Sequence, residues 1–195
     1  EVTAYLKSHG VVQLDAAYGC SLGGACLTRL LALDEISVGR AIIDGGITPY
    51  QMPYLLRSLH LAVDVLTFKL AANNRKVLEA AFPPERFTLP GHDSVKEYDA
   101  IAAYLKTYSD RTIRNIFWSG NNYALPETSA ACSTKIAYWY GADEKKDRKY
   151  NIRFIRRYFP QIQLREFPNM AHAELVMIHP EEFCRHAEEF LNLEE

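Results

Sequence analysis

Gly19-Cys20-Ser21-Leu22-Gly23, followed at once by Gly24, constrains this chain more than any other stretch. It fits G-x-S-x-G, a sharp strand-to-helix turn that holds a serine at its tip. The backbone there is tight, so side chains at the flanking glycine positions are expected to collide with the turn or with the helix that follows. The surroundings agree. Val11, Val12, Leu14, Ala16, Ala17 and Tyr18 form a short apolar strand ahead of the motif. Ala25 to Leu33 form an apolar-rich helix behind it.

The same alternation continues along the chain. Val2 to His9 reads as a helix closed by Gly10. Val38 to Ile43 is a second strand, ending at Asp44-Gly45-Gly46. Ser133 to Tyr140 is a third, with Lys135 its only charge. Tyr150 to Phe159 is a helix stopped by Pro160, and Ile162 to Phe167 is a fourth strand with period-two alternation. Pro180 to Leu193 is an amphipathic helix, with Pro180, Glu181 and Glu182 suited to its first turn. Strands alternating with helices predict an α/β fold with a mostly parallel sheet flanked by helices. Residues 47–131 break the rhythm: Pro53 to Phe82, Val95 to Thr107 and Thr112 to Trp118 all read as helices. The chain therefore divides into 1–46, carrying the serine turn and the next strand, a helical insertion over 47–131, and a C-terminal α/β part over 132–195.

Composition excludes several classes. A net charge of −2 on 195 residues offers nothing to nucleic acid or to an anionic membrane. The run Lys145, Lys146, Arg148, Lys149 is interrupted by Asp143, Glu144 and Asp147 and reads as a solvated helix face. No apolar run approaches the ~20 residues that span a bilayer. Cys20, Cys26, Cys132 and Cys184 lack C-x-x-C spacing and read as buried free thiols in a reducing, cytoplasmic setting. Cys20, beside Ser21, takes a packing role. No phosphate-cradling loop and no paired-histidine zinc motif occurs, so neither a cofactor nor a metal is expected.

A serine becomes a nucleophile when a base takes its proton. Asn169-Met170-Ala171-His172-Ala173-Glu174 places His172 just past the fourth strand, where a loop reaches over the sheet edge. Gly141-Ala142-Asp143-Glu144 places acids just past the third. Serine, then acid, then histidine is the triad order of α/β-hydrolases. In these residues the chain resembles the α/β-hydrolase superfamily. The resemblance runs nearly the whole chain but matches only the second half of a usual hydrolase domain.

The resemblance implies Ser21 as nucleophile and His172 as base. It implies Glu144 as acid, because the family often carries Gly-x-x-Asp after this strand and Glu144 stands in that register. Asp143, one residue earlier, and Asp44, after the preceding strand, are the alternatives. The N–H of Leu22 is the implied oxyanion donor; the family's second donor comes from an early loop that this sequence lacks. The insertion resembles the family's cap, with Tyr50, Met52, Tyr54, Leu55, Leu59, Phe68, Phe117 and Trp118 as walls for an acyl group. About four strands that usually precede the serine turn are missing, so an N-terminal segment or a partner is expected to cover the first strand's edge. The implied activity is hydrolysis of a carboxylic ester or thioester. A serine acyltransferase, a peptidase, a carbon–carbon bond hydrolase and a catalytically silent binding module are the other readings.

Overall fold

The computed structural model describes residues 1–50, 52–120, 122–127 and 133–192. The expected boundary at 131/132, Cys132 and the helix end at Leu193 lie outside the described residues. The chain forms two compact units: residues 1–49 with 123–195, and residues 50–122.

The first unit is a four-stranded sheet in the order β1 (Gln13–Cys20), β2 (Ser37–Asp44), β3 (Lys135–Gly141), β4 (Gln163–Phe167). All three pairings are parallel, with Cys20 opposite Asp44, Asp44 opposite Trp139, and Gly141 opposite Phe167. The register aligns the C-terminal ends of the strands, where the loops of a parallel sheet collect chemistry. Helices α1 (Val2–Ser8), α2 (Leu22–Leu33), α8 (Lys149–Tyr158), α9 (Glu174–Ile178) and α10 (Pro180–Leu191) complete this unit.

β3 shows why the sheet is covered on both faces. Ile136, Tyr138 and Tyr140 pack with Leu27 and Leu31 of α2 and Ile155 of α8. Ala137 and Trp139 turn the other way, toward Phe167 and Phe190 of α10. That alternation is the two-residue period of a strand. The near-continuous apolar run is what burial on both faces requires. Trp139 meets Phe167 and Phe183 edge-on, at 5.3 and 5.8 Å between ring centroids.

The second unit contains α3 (Tyr54–Asn73), α4 (Arg75–Ala81), α5 (Pro84–Phe87), α6 (Ser94–Lys106) and α7 (Asp110–Gly120). Val65, Leu78, Tyr98 and Ile113 are buried within it. The single helix expected from Pro53 to Phe82 is two helices. Asn74 leaves helical geometry at φ −133° and its side chain accepts the N–H of Lys76 at 3.0 Å, which starts α4 afresh.

The expectation of buried thiols fails. Cys26 and Cys184 are exposed, and Cys20 is half-buried. Cys26 and Cys184 lie on the outward faces of amphipathic helices, where helical phase and not residue type decides exposure.

Candidate active site

Ser21 stands between β1 and α2 with φ 53° and ψ −114°. A serine at positive φ is strained, by about 1–3 kcal/mol, and persists only where its surroundings dictate it. Here they do. Its N–H donates to the carbonyl of Asp44 at 2.9 Å, and its own carbonyl accepts from Ala25 and Ile47, each at 3.3 Å. Leu22 is the first residue of α2, so its N–H has no acceptor within the helix.

Two of the three flanking glycines are sterically required. A Cβ on Gly19 would lie 2.5 Å from the Gly23 carbonyl oxygen, and one on Gly24 would lie 2.5 Å from Cα of Gly46. Gly23 differs from the expectation, because a Cβ there meets nothing within 4 Å. Gly19→Ala should therefore destabilise the fold by about 2–3 kcal/mol, since backbone must move. Gly23→Ala should be neutral or stabilise it by up to about 1 kcal/mol, alanine being the better helix former. Urea unfolding of both variants checks this; equal losses would contradict the steric reading.

His172 sits on the loop after β4, between Asn169 at φ 56° and Ala173 at φ 60°. Its ring rests against Gly45, itself at φ +53°; a Cβ there would come 2.7 Å from both Cε1 and Nδ1. Gly45 follows Asp44, the residue that holds the Ser21 N–H. Serine and imidazole are thus fixed to adjoining residues at the end of β2.

Nδ1 of His172 lies 2.7 Å from Oε2 of Glu144. That spacing beside a carboxylate places the proton on Nδ1 and leaves Nε2 with a free lone pair. Glu144 ends a 3₁₀ turn after β3, and its side chain is 7% exposed. Its Oε1 accepts the Gly141 N–H at 3.2 Å. Burial works against its charge, but the hydrogen bonds from His172 and Arg148 prevail and hold the carboxyl below the usual glutamate range. The Asp143 N–H donates to Met170 O at 3.1 Å, drawing this turn and the histidine loop together.

The alternative acids are placed differently. The Asp143 side chain is exposed. Asp44 is buried, accepts the Tyr18 hydroxyl at 2.8 Å, and has its carboxyl pushed upward, chiefly by burial. Burial also pushes the Cys20 thiol up to about 12, the wrong direction for a nucleophile.

Arg148 corrects the reading of the basic run as a solvated face. Its side chain is 16% exposed, and Nε donates to Glu144 Oε2 at 2.7 Å. A terminal nitrogen lies 3.1 Å from Nδ1 of His172. The sequence signal was the i,i+4 spacing of Glu144 and Arg148. Lys145 and Lys149, by contrast, are exposed, and Lys145 pairs with Glu166 at 2.6 Å.

No protein-family model and no curated protein sequence matches this chain. Solved structures do. An alpha/beta hydrolase family protein from Desulfitobacterium hafniense superposes with a TM-score of 0.69 at 17% identity, over 97% of this chain and 74% of that one. A structure from a study of carboxylesterases of Nitrososphaera gargenis gives 0.64 at 15%, over 98% and 69%. An epoxide hydrolase from Bacillus megaterium gives 0.68 at 12%, over 98% and 73%. This chain has the α/β-hydrolase fold. In that fold the elbow, the turn after β3 and the loop after β4 all open at the same end of the sheet, as the strand register here requires.

Within the helical unit inserted into this hydrolase fold, the expected wall residues divide. Phe68 packs edge-on against Phe117 at 6.2 Å and Tyr108 at 5.6 Å, as part of that unit's own interior. Tyr50, Tyr54, Leu55 and Leu59 are exposed. Arg57 lies over the Trp118 ring, 3.9 Å from its centroid. Met52 is half-buried. Among the described residues no cluster of three or more His, Cys, Asp or Glu side chains is placed to hold a metal, and no helix is long and apolar enough to cross a membrane.

Proposed function

We propose that this protein is a serine hydrolase that cleaves a carboxylic ester or thioester through an acyl-enzyme. Ser21 is the nucleophile, His172 the base and Glu144 the acid. The carrying observation is the 2.7 Å contact between Nδ1 of His172 and Oε2 of Glu144, beside a serine held on a left-handed turn. In this reading the Ser21 hydroxyl attacks the acyl carbon as Nε2 takes its proton. The Leu22 N–H receives the developing oxyanion, and the departing alcohol or thiol regains the proton from Nε2. Water, deprotonated by the same nitrogen, then releases the acid. The 50–122 unit takes the part of the family's cap. The free thiols, two of them exposed, suit a reducing, cytoplasmic compartment.

The test is labelling with a fluorophosphonate probe, followed by peptide mapping. A single adduct on Ser21, with turnover of short-chain p-nitrophenyl esters, supports the reading. An unlabelled chain without esterase turnover supports the silent binding module instead.

β1 lies at one edge of the sheet, and Gln13, Asp15, Ala16 and Tyr18 along it are exposed. An edge strand with open backbone groups pairs with another strand where it can. Another strand can pair along this edge, and a second copy of the chain supplies one. The chain should therefore self-associate with rising concentration in light scattering. A monodisperse monomer with full esterase turnover would overturn this.

A further inference from the structure

We propose that Arg148 is a positioning residue of this site: it holds Glu144 in the rotamer that meets Nδ1 of His172. The proposal rests on reading Ser21, His172 and Glu144 as a triad.

The geometry separates Arg148 from the basic residues around it. Its backbone N–H donates to the Glu144 carbonyl at 2.9 Å, while its side chain folds back to Glu144 Oε2 at 2.7 Å. The same oxygen takes the imidazole at 2.7 Å. One carboxylate oxygen therefore serves two donors, and the other is held by the Gly141 N–H. Only a rigid planar fork can put one nitrogen on the carboxylate and another 3.1 Å from the ring. Lysine, a point charge on a flexible stem, cannot do both.

That second nitrogen faces Nδ1, and Nδ1 already carries a proton bound to Glu144. Two donors cannot bond to each other, so the bond from Nε to Glu144 Oε2 is the one that holds the arrangement, and the second nitrogen only abuts the ring.

The test is nitrogen-15 NMR of the neutral His172 ring in the full chain, for wild type, Arg148→Met and Arg148→Lys, with His172→Gln assigning the signal. It is run beside steady-state ester kinetics. The wild-type neutral ring should carry its proton on Nδ1. In Arg148→Met, Glu144 is free to turn away, and the ring should divide between its two tautomers. kcat should fall between about 10- and 100-fold with KM little changed, as expected for a displaced catalytic group. Arg148→Lys should restore the Nδ1 tautomer and kcat only in part. If Arg148→Met fails to fold, Arg148→Gln carries the same test. An Arg148→Met ring that stays wholly in the Nδ1 tautomer would overturn the proposal, as would a wild-type ring protonated on Nε2. The NMR measurement needs no turnover, so failure of the triad reading shows separately, as an unlabelled Ser21.

Discussion

Ser21→Ala is expected to abolish fluorophosphonate labelling and to lower ester turnover by about 10⁴- to 10⁶-fold, the range found when a triad nucleophile is removed. The change takes away one oxygen and leaves Cβ, so it adds nothing to the strain at φ 53°. The backbone bonds that define the turn, from the Ser21 N–H to Asp44 and from Ala25 and Ile47 to the Ser21 carbonyl, involve no side-chain atom. The variant should therefore unfold at the same urea concentration as the parent. Undiminished labelling would place the nucleophile elsewhere and remove the basis of the proposed mechanism. Cys20 is the neighbour to check by mapping, although its raised thiol argues against it.

Glu144→Gln is expected to cost about 10⁴-fold in kcat, the scale of exchanging a triad acid for its amide. The amide keeps the shape and still has an oxygen for the Gly141 N–H or for Arg148. Its nitrogen, however, is a donor. Turned toward Nδ1 it selects the imidazole tautomer protonated on Nε2, and that tautomer cannot take the Ser21 proton. Asp143→Asn should change kcat by less than a few-fold, because that side chain is exposed. Asp44→Asn should lose less than about tenfold, because its oxygen still accepts from Tyr18. Steady-state kinetics on the three variants decide the matter. Near-normal turnover in Glu144→Gln, with collapse in Asp44→Asn or Asp143→Asn, would reassign the acid.

What was legible in the sequence was local or periodic. The strand–turn–helix around Ser21 follows from glycines whose absent side chains would strike backbone, a requirement set within a few residues. The four strands follow from short apolar runs, the fourth with a two-residue period. The meeting of His172 with Glu144 joins residues 28 apart, yet chain order and register after β3 and β4 pointed to it. What was missed depends on tertiary neighbours. Arg148 looked like one charge in a mixed run, and nothing local says that its side chain turns inward. Gly45 looked like an ordinary turn residue; its purpose emerges only when an imidazole fills the space a Cβ would take. The exposure of Cys26 and Cys184 depends on helix phase, which residue type alone does not encode. The break at Asn74 falls inside a stretch read as one helix, and its bond to the Lys76 N–H emerges only with the fold.

The two ends of the helical insertion are laced to the sheet unit before the insertion begins. Tyr123 donates to Ile47 O at 2.8 Å, Thr48 bonds Asn151 through its N–H at 3.0 Å and its hydroxyl at 2.8 Å, and Tyr150 donates to Pro49 O at 3.0 Å. Entry and exit are thus stitched together like the neck of a bag. Such a neck fixes where a substitute segment must start and stop while leaving its length and contents open. The insertion is accordingly an exchangeable cassette, and grafts made between Pro49 and Tyr123 leave these hydrogen bonds in place.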